Sequence, residues 1–390
     1  MKFGLENMRT ICAALDHPER AFRSVIVAGT NGKGSVTAMT SAALAAAGVR
    51  SARYTSPHLE RLEERFVIAE HEVATRDLEE AAGTVQQVVE KLVHDSTLAS
   101  LPTFFECATA IGFELFRRAA VEVAVVEVGL GGRLDATNVL TPVAAAITSI
   151  DLDHQELLGE TLASIAREKA GVIKPGIPVV RGPMADEAAD VIAQVCRDRN
   201  ARLVDASRHA LTLTPALEGA HQRTNAAVAV CLLNELRGLG IPMSDAAIHA
   251  GVTRVTWPGR LEHFTWHSAD VLIDAAHNPA GARALARYLD DQGWRGVAMV
   301  LGLMRDKDAT AMLDPLLPYA ATVVCTTPPS PRALPASDLA ALAATMAPRG
   351  VSISSIDDPA AALAAASQAA ARIVAAGSIF LIGPLRGILR

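Results

Sequence analysis

The stretch VIVAGTNGKGSV, residues 25–36, decides how the first half of this chain is read. Apolar β-branched residues run into Ala28-Gly29, glycines then alternate with polar residues, and Ser35 opens an Ala-rich segment. A strand that passes through glycines into a helix aims free backbone N–H groups and a helix N-terminus at one point, which suits an anion. Lys33 adds a mobile positive charge, and Ser35 a hydroxyl of the kind Mg²⁺ accepts. The common phosphate loop reads G-x-x-x-x-G-K-[ST]. Here Val27 stands where the first glycine is expected, and Gly34 separates Lys33 from Ser35. The reading is a phosphate loop of a different lineage, with a simple strand-to-helix turn as the plainer alternative.

The chain has 390 residues, enough for two domains. Half of them are hydrophobic and 20% are charged, as in an enzyme with a large core. A net charge of −6 gives no global field for nucleic acid or an anionic membrane. Bound anions would need locally placed cations. The five cysteines are scattered, with no C-x-x-C pair, which predicts a reduced cytoplasmic protein. MKFGLENMRT (1–10) lacks the apolar core of a signal peptide, and no uncharged run is long enough for a membrane span. A monomer is expected.

Short apolar runs alternate with helical patterns. SVIVAG (24–29), SARYTS (51–56), VEVAVVEVG (121–129), VAAAITSI (143–150) and IPVVRG (177–182) read as strands of a parallel sheet covered on both faces. Residues 35–48, 103–119 and 161–173 read as helices between them. A second set begins near DVLIDAAHNP (270–279) and continues through 296–303, 321–327, 351–356 and SIFLIG (378–383), each read as a strand. PAAALAAASQAAARIVAA (359–376) reads as one packed helix. The fold class is therefore α/β: a phosphate-loop sheet domain over 1–267 and a smaller Rossmann-like domain over 268–390.

GTNGKGS resembles the nucleotide loop of the Mur ligase family, ATP-dependent amide-bond ligases in which a second glycine follows Gly-Lys. Within that family the chain resembles the folylpolyglutamate synthase/dihydrofolate synthase branch. The segments that carry the likeness are YTSPHL (54–59), TFFE (103–106), VVEVGLGGRLDATN (125–138), TSIDLDHQELLG (148–159) and REKAGVIK (167–174). GAHQRTNAAVA (219–229), PGRLE (258–262), DAAHNP (274–279) and GLMRDKD (302–308) complete it. The resemblance implies that ATP is bound by Gly29, Thr30, Asn31, Gly32, Lys33, Gly34 and Ser35. Asn225 would meet the adenine and Arg260 the phosphates. Asp274 and His277 would come from the second domain, so that the site assembles on closure and excludes water. Two Mg²⁺ ions are implied, with Ser35, Ser56, Glu127 and His154 as ligands. Taken singly, these residues read more plainly: Ser-Pro begins turns, Glu127 ends a buried strand, and a lone histidine is usually structural.

Lys169 is the awkward residue, because a cation beside Mg²⁺ and ATP is misplaced. The family's matching lysine is carbamylated, which turns an amine into an anion, and burial would make the amine available. Lys33, Lys169 and His154 are thus the candidate catalytic residues. For the acceptor, the family implies a pterin pocket at Thr103, Phe104, Phe105 and Glu106 and at Leu134, Asp135 and Ala136. Either phenylalanine serves equally well as core.

The implied partners are L-glutamate and dihydropteroate or reduced folates. The implied reaction passes through an acyl phosphate and makes the chain a dihydrofolate synthase, a folylpolyglutamate synthase, or both. Relatives place a helical segment before Gly4-Leu5 and a histidine after Gly377-Ser378, where GSIFLIG has apolar residues; both differences bear on the acceptor more than on ATP. Three other readings remain. LGGRLDATN argues against a ligase of cell-wall precursors, and the lack of an N-K-x-D run against a GTPase. A catalytically impaired nucleotide-binding homologue is opposed by Lys33, Glu127, His154 and Lys169.

Overall fold

The computed structural model describes residues 4–390, so Met1–Phe3 of the N-terminal stretch read above lie outside the described residues. The chain divides into two compact units. One comprises residues up to Ala216 together with Gln222–Thr256, and the other Leu217–His221 with Trp257–Arg390.

The first unit is built on eight strands. These are β1 (Arg23–Ala28), β2 (Ser51–Tyr54), β3 (Phe66–Ile68), β4 (His71–Glu72), β5 (Val123–Glu127), β6 (Ala144–Ile147), β7 (Pro178–Arg181) and β8 (Arg202–Asp205), in the sheet order β4-β3-β2-β5-β1-β6-β7-β8. The six longer strands pair in parallel, and the β3–β4 hairpin runs antiparallel at one edge. Val25, Ile26 and Val27 are fully buried, as a sheet covered on both faces requires. The helices are α1 (Glu6–Ala14), α2 (Lys33–Ala46), α3 (Thr75–His94), α4 (Phe104–Arg118), α5 (Gln155–Leu158), α6 (Leu162–Ala170), α7 (Asp186–Asp198), α8 (Ala220–Gly238) and α9 (Asp245–Thr253). From β1 the chain crosses to β2 on one side and later to β6 on the other. The order therefore reverses around β1, and in open sheets ligands bind where that happens, beyond the carboxyl ends of the strands.

The second unit has six strands in the order β13-β12-β11-β14-β10-β9. They are β9 (Glu262–Trp266), β10 (Ala269–Asp274), β11 (Val297–Leu301), β12 (Ala320–Cys325), β13 (Ser352–Ser355) and β14 (Arg372–Ala376), followed in space by α10 (Pro279–Asp291) and four further helices. All pair in parallel except β9, an antiparallel edge. Because β9 belongs to this sheet, the break between units falls after Thr256, and the segment 257–267 lies with the second unit instead of the first.

Two elements here differ from the sequence reading. The Ala-rich run 359–376 is a helix only over Pro359–Ala369, and Arg372–Ala376 is the central strand β14. SIFLIG is not a strand but the start of a helix, Ile379–Leu389, capped by Ser378 Oγ, which accepts from the Phe380 amide. Alanine favours helix, which extends the helical reading over the whole run. The β-branched pair Ile373-Val374 sets the strand, and Gly377 followed by a serine N-cap starts the helix. Among the described residues no helix is long and apolar enough to cross a membrane.

Candidate active site

Parallel register sets Val27 of β1 beside Glu127 of β5, and Ala28 beside Ile147 of β6. The carboxyl ends of β2, β5, β1 and β6 are consecutive in the sheet. They deliver Ser56, Glu127, the 29–35 loop and the 148–154 segment to one edge. The loop is held before any ligand arrives. The Thr30 amide donates to Ser149 O at 2.8 Å, the Asn31 amide to Ser149 Oγ at 3.0 Å, and the Thr148 hydroxyl to Asn31 O at 2.5 Å. Gly32, at φ 85°, is the N-cap of α2, which opens at Lys33. Only glycine suits that position, because the conformation is left-handed and a Cβ would also collide with Asn225 Oδ1. Asn225 therefore lies against the loop, with its amide nitrogen donating to Gln222 Oε1 at 2.9 Å.

Two lysines converge on one carbonyl. Lys33 Nζ donates to Gly29 O and Thr30 O, both at 3.1 Å, and Lys169 Nζ to Gly29 O at 2.9 Å. Lys169 is 5% exposed. Its amine is pushed down from the ordinary 10.5 to about 7, first by burial and then by the charge of Lys33, with Asp153 and Asp135 pulling the other way.

The loop after β5 is what holds Lys169 there. The Arg133 amide donates to Glu168 O at 2.8 Å, and its guanidinium pairs with the Glu168 carboxylate at 2.9 Å. Asn138 Nδ2 donates to Arg133 O at 2.9 Å and to Gly171 O at 3.2 Å. Gly132 sits so close to α6 that a Cβ would lie 2.8 Å from Lys169 O. Gly132→Ala should therefore lower the unfolding midpoint by an amount equivalent to about 1–3 kcal/mol and reduce turnover together with it. An unchanged melting curve and unchanged turnover in that variant would remove the loop's claim to position α6.

Of the four metal candidates, Ser56 and Glu127 meet directly, the Ser56 amide donating to Glu127 Oε2 at 3.4 Å. Glu127 is buried, and Ser35 is buried in the first turn of α2. His154 is the N-cap of α5, in a left-handed conformation, and its Nε2 lies 3.8 Å from Asp153 Oδ1. No group of three or more His, Cys, Asp or Glu converges as a metal cage among the described residues. The candidate set contains only two such residues, so phosphate oxygens would have to complete the shell. Two hydroxyls and a carboxylate are hard oxygen donors and fit Mg²⁺.

The acceptor candidates separate into framework and surface. Thr103 and Glu106 form a capping box on α4: Glu106 Oε2 accepts from the Thr103 amide at 2.7 Å, and Thr103 Oγ1 from the Glu106 amide at 3.2 Å. Asp135 likewise serves its own loop. Its Oδ2 accepts from the Leu130 amide at 2.8 Å, and its Oδ1 from the Thr137 amide at 3.0 Å and hydroxyl at 2.6 Å. Leu134 is half-buried and Ala136 buried beside it. The two phenylalanines part company. The Phe105 ring packs against Gly129, where a Cβ would come within 2.5 Å of it, while Phe104 is 62% exposed.

In the second unit, Asp274 ends β10 and accepts from the Leu261 amide at 2.9 Å and the Ala276 amide at 2.8 Å. Arg260 Nη1 donates to Ala275 O at 3.2 Å, and His277 Nδ1 sits 2.9 Å from the same oxygen. These three candidates are thus gathered around one turn.

Residues 259–382 match the glutamate ligase domain of the Mur ligases. The folylpolyglutamate synthase of Lacticaseibacillus casei is 36% identical over 358 residues, covering 85% of this chain and 83% of that protein. The chain belongs to the folylpolyglutamate synthase/dihydrofolate synthase family. The solved Mycobacterium tuberculosis folylpolyglutamate synthase, complexed with ADP and AMPPCP, superposes with a TM-score of 0.92 at 32% identity, covering 99% of this chain and 95% of that one. The bifunctional Yersinia pestis enzyme, complexed with AMPPNP and a manganese ion, gives a TM-score of 0.86 at 31% identity, covering 100% and 94%.

For a member of the folylpolyglutamate synthase/dihydrofolate synthase family, one residue beside Phe104 stands out that the sequence reading passed over. Arg65 is buried, its Nε donates to His58 Nδ1 at 2.9 Å, and its guanidinium lies 5.3 Å from the centre of the Phe104 ring. Burial, and then the Arg65 charge, hold the His58 imidazole below its ordinary value, so it is neutral and can accept that bond. The cation is matched with a neutral ring and an aromatic face and not with a carboxylate. Arg65→Leu is expected to raise the acceptor KM about tenfold or more and to leave the ATP KM within twofold. Equal changes in both constants would show a general loss of fold.

Proposed function

We propose that this chain is a bifunctional ATP-dependent ligase that adds L-glutamate to dihydropteroate and to reduced folates. The observation that carries the proposal is the meeting of Lys33 and Lys169 at the Gly29 carbonyl, next to the edge that holds Glu127 and Ser56. The 29–35 loop, Lys33 and Asn225 hold ATP, with Arg260, Asp274 and His277 as the second unit's candidate nucleotide contacts. Ser35, Ser56, Glu127 and His154 would hold two Mg²⁺ ions, which supply charge neutralisation on the phosphates when bound. The acceptor carboxylate attacks the γ-phosphorus, the bond to ADP breaks, and an acyl phosphate forms. The α-amino group of glutamate then attacks the acyl carbon, inorganic phosphate leaves with the bonding pair, and the amine releases a proton. The chain contributes positioning and charge in the main.

Lys169 enters as a carbamate. Its neutral Nζ attacks CO₂, an N–C bond forms, a C=O pair moves onto oxygen, and one proton is lost. The product is an anion where an ammonium stood, which removes the repulsion against Lys33. The acceptor wall is Phe104, Arg65 and Leu134, on a framework kept by Thr103, Phe105, Glu106, Asp135 and Ala136.

The test is ADP release in the presence of L-glutamate with dihydropteroate, with tetrahydrofolate, and with no acceptor. Release with both acceptors and none without one is the expected result. Release with only one acceptor would overturn the bifunctional reading, and release with neither would overturn the ligase reading.

A further inference from the structure

Arg260 sits in a turn that needs support from outside. Gly259 and Leu261, on either side of it, are both left-handed, at φ 70° and 46°. Glycine adopts that conformation freely, whereas a leucine does so at a cost and only where its surroundings hold it. Leu261 is buried in the core of the second unit. Two carboxylates pin the backbone here. Asp274 Oδ2 accepts from the Leu261 amide at 2.9 Å, and Glu262 Oε2 from the Gly259 amide at 2.8 Å. The Gly259 carbonyl in turn accepts from the Ala275 amide at 2.8 Å, and the Arg260 side chain returns to Ala275 O. Arg260 is thereby held at its backbone on both sides.

Glu262 is itself held from a distant part of the chain. Arg386, on the helix Ile379–Leu389, donates through Nε to Glu262 Oε1 at 3.0 Å and to Oε2 at 2.8 Å. One oxygen, Oε2, thus joins Gly259 to Arg386. The Arg386 side chain is 9% exposed and that of Glu262 24%. Ion pairs in open solvent contribute little, but this cation is buried. Without it the half-buried carboxylate would keep a charge with poor access to water. It would recover hydration by swinging outward, and so release the Gly259 amide. The start of the same helix reaches the neighbouring turn. Gly377, just before the Ser378 cap, donates its amide to Ala276 O at 2.9 Å. One helix therefore braces both the turn that carries Arg260 and the turn that carries Asp274 and His277.

We propose that Arg386 is a positioning residue for nucleotide binding: by fixing Glu262 on the Gly259 amide, it sets the Arg260 guanidinium where the phosphates of ATP meet it. The proposal rests on the reading of Arg260 as a phosphate contact and extends it to the residue that holds the turn in shape.

The test is calorimetric titration of the full chain with ATP and Mg²⁺, without acceptor so that no turnover occurs. It compares the native chain, Arg386→Met, Arg260→Ala and the double variant. Methionine keeps an apolar stem against the helix and removes the charge and the Nε donor. Each single change is expected to weaken ATP about tenfold or more, and the double variant to stay within about twofold of Arg260→Ala. Arg386→Lys, which keeps a charge facing Glu262, should recover binding to within about threefold of the native chain. A role confined to stability would lower the melting temperature of Arg386→Met and leave ATP binding native, which would overturn the proposal. Additive losses in the double variant would do the same, because Arg386 would then act by a route other than Arg260. So would a lysine variant that binds no better than the methionine one. Native binding in Arg260→Ala would overturn the phosphate reading of Arg260 and this proposal with it, whereas weak binding there beside native binding in Arg386→Met overturns this proposal alone. Glu262→Ala breaks the same link at its other end and serves should Arg386→Met fail to fold. It should weaken ATP as much and in the same non-additive way, and native binding in it would count against Arg386 equally.

Discussion

Replacing Lys33 with alanine is expected to cut ADP release that depends on both acceptor and glutamate by about a thousandfold or more, with little change in stability. The size follows from removing a charge that the proposed mechanism sets on the transferring phosphoryl group, where one lost donor already costs about two to three orders of magnitude. Stability should hold because the ammonium bonds only to carbonyls of its own loop, while the loop itself is anchored by Thr148 and Ser149. The variant has a second readout. Lys33 is one of the causes that depress the Lys169 amine, so its removal should move that amine back up toward 10.5. Near-normal turnover in a folded variant would contradict the assignment.

Lys169→Met should be nearly as damaging, at about a hundredfold to a thousandfold in turnover, and should abolish uptake of labelled CO₂. Methionine keeps the length and burial of the side chain but can neither form a carbamate nor carry charge. The pH dependence follows from the amine's position at about 7. At pH 8 about nine in ten such amines are neutral, against fewer than one in a hundred for an ordinary lysine. Carbamate formation at fixed dissolved CO₂ should therefore rise through pH 7, read as a carbonyl resonance from ¹³CO₂ that Lys169→Met lacks. Stability has the same sign. The unfolded chain holds this proton up to about 10.5 and the folded one only to about 7, so the residue favours folding more as the pH rises through that window. A native chain that takes up no label at pH 8 with nucleotide bound would exclude the carbamate.

Much of this site can be read in the sequence, and the exceptions have physical causes. The loop 29–35 is legible because glycines, a lysine and a serine leave few other uses for a strand-to-helix turn. Glu127 is legible because a carboxylate at the end of a buried apolar strand needs a reason to be there. Phe104 and Phe105 are adjacent on one helix, so spacing alone does not tell which faces the core; Gly129 decides it, from another strand end. TFFE contains its own warning, since T-x-x-E is a capping box, and half of that motif is spent on starting α4. Arg65 hides within RLEER, which looks like a solvated charge run; it ends the 3₁₀ turn Leu62–Arg65, its carbonyl accepts from the Thr55 amide, and its side chain is buried. In the second unit, alanine conceals β14, because its helix preference is overridden only by burial in the middle of the sheet.

The bonds between residues 132–138 and 168–171 also bear on how this enzyme can be rebuilt. The loop after β5 and the end of α6 are joined through both backbones, one ion pair and an asparagine that spans them. They behave as one exchangeable cassette. A chimera that imports GGRLDATN from a relative should bring the matching REKAG with it, because the backbone bond from Arg133 to Glu168 and the Asn138 amide, more than the exposed Arg133–Glu168 ion pair, join the two segments.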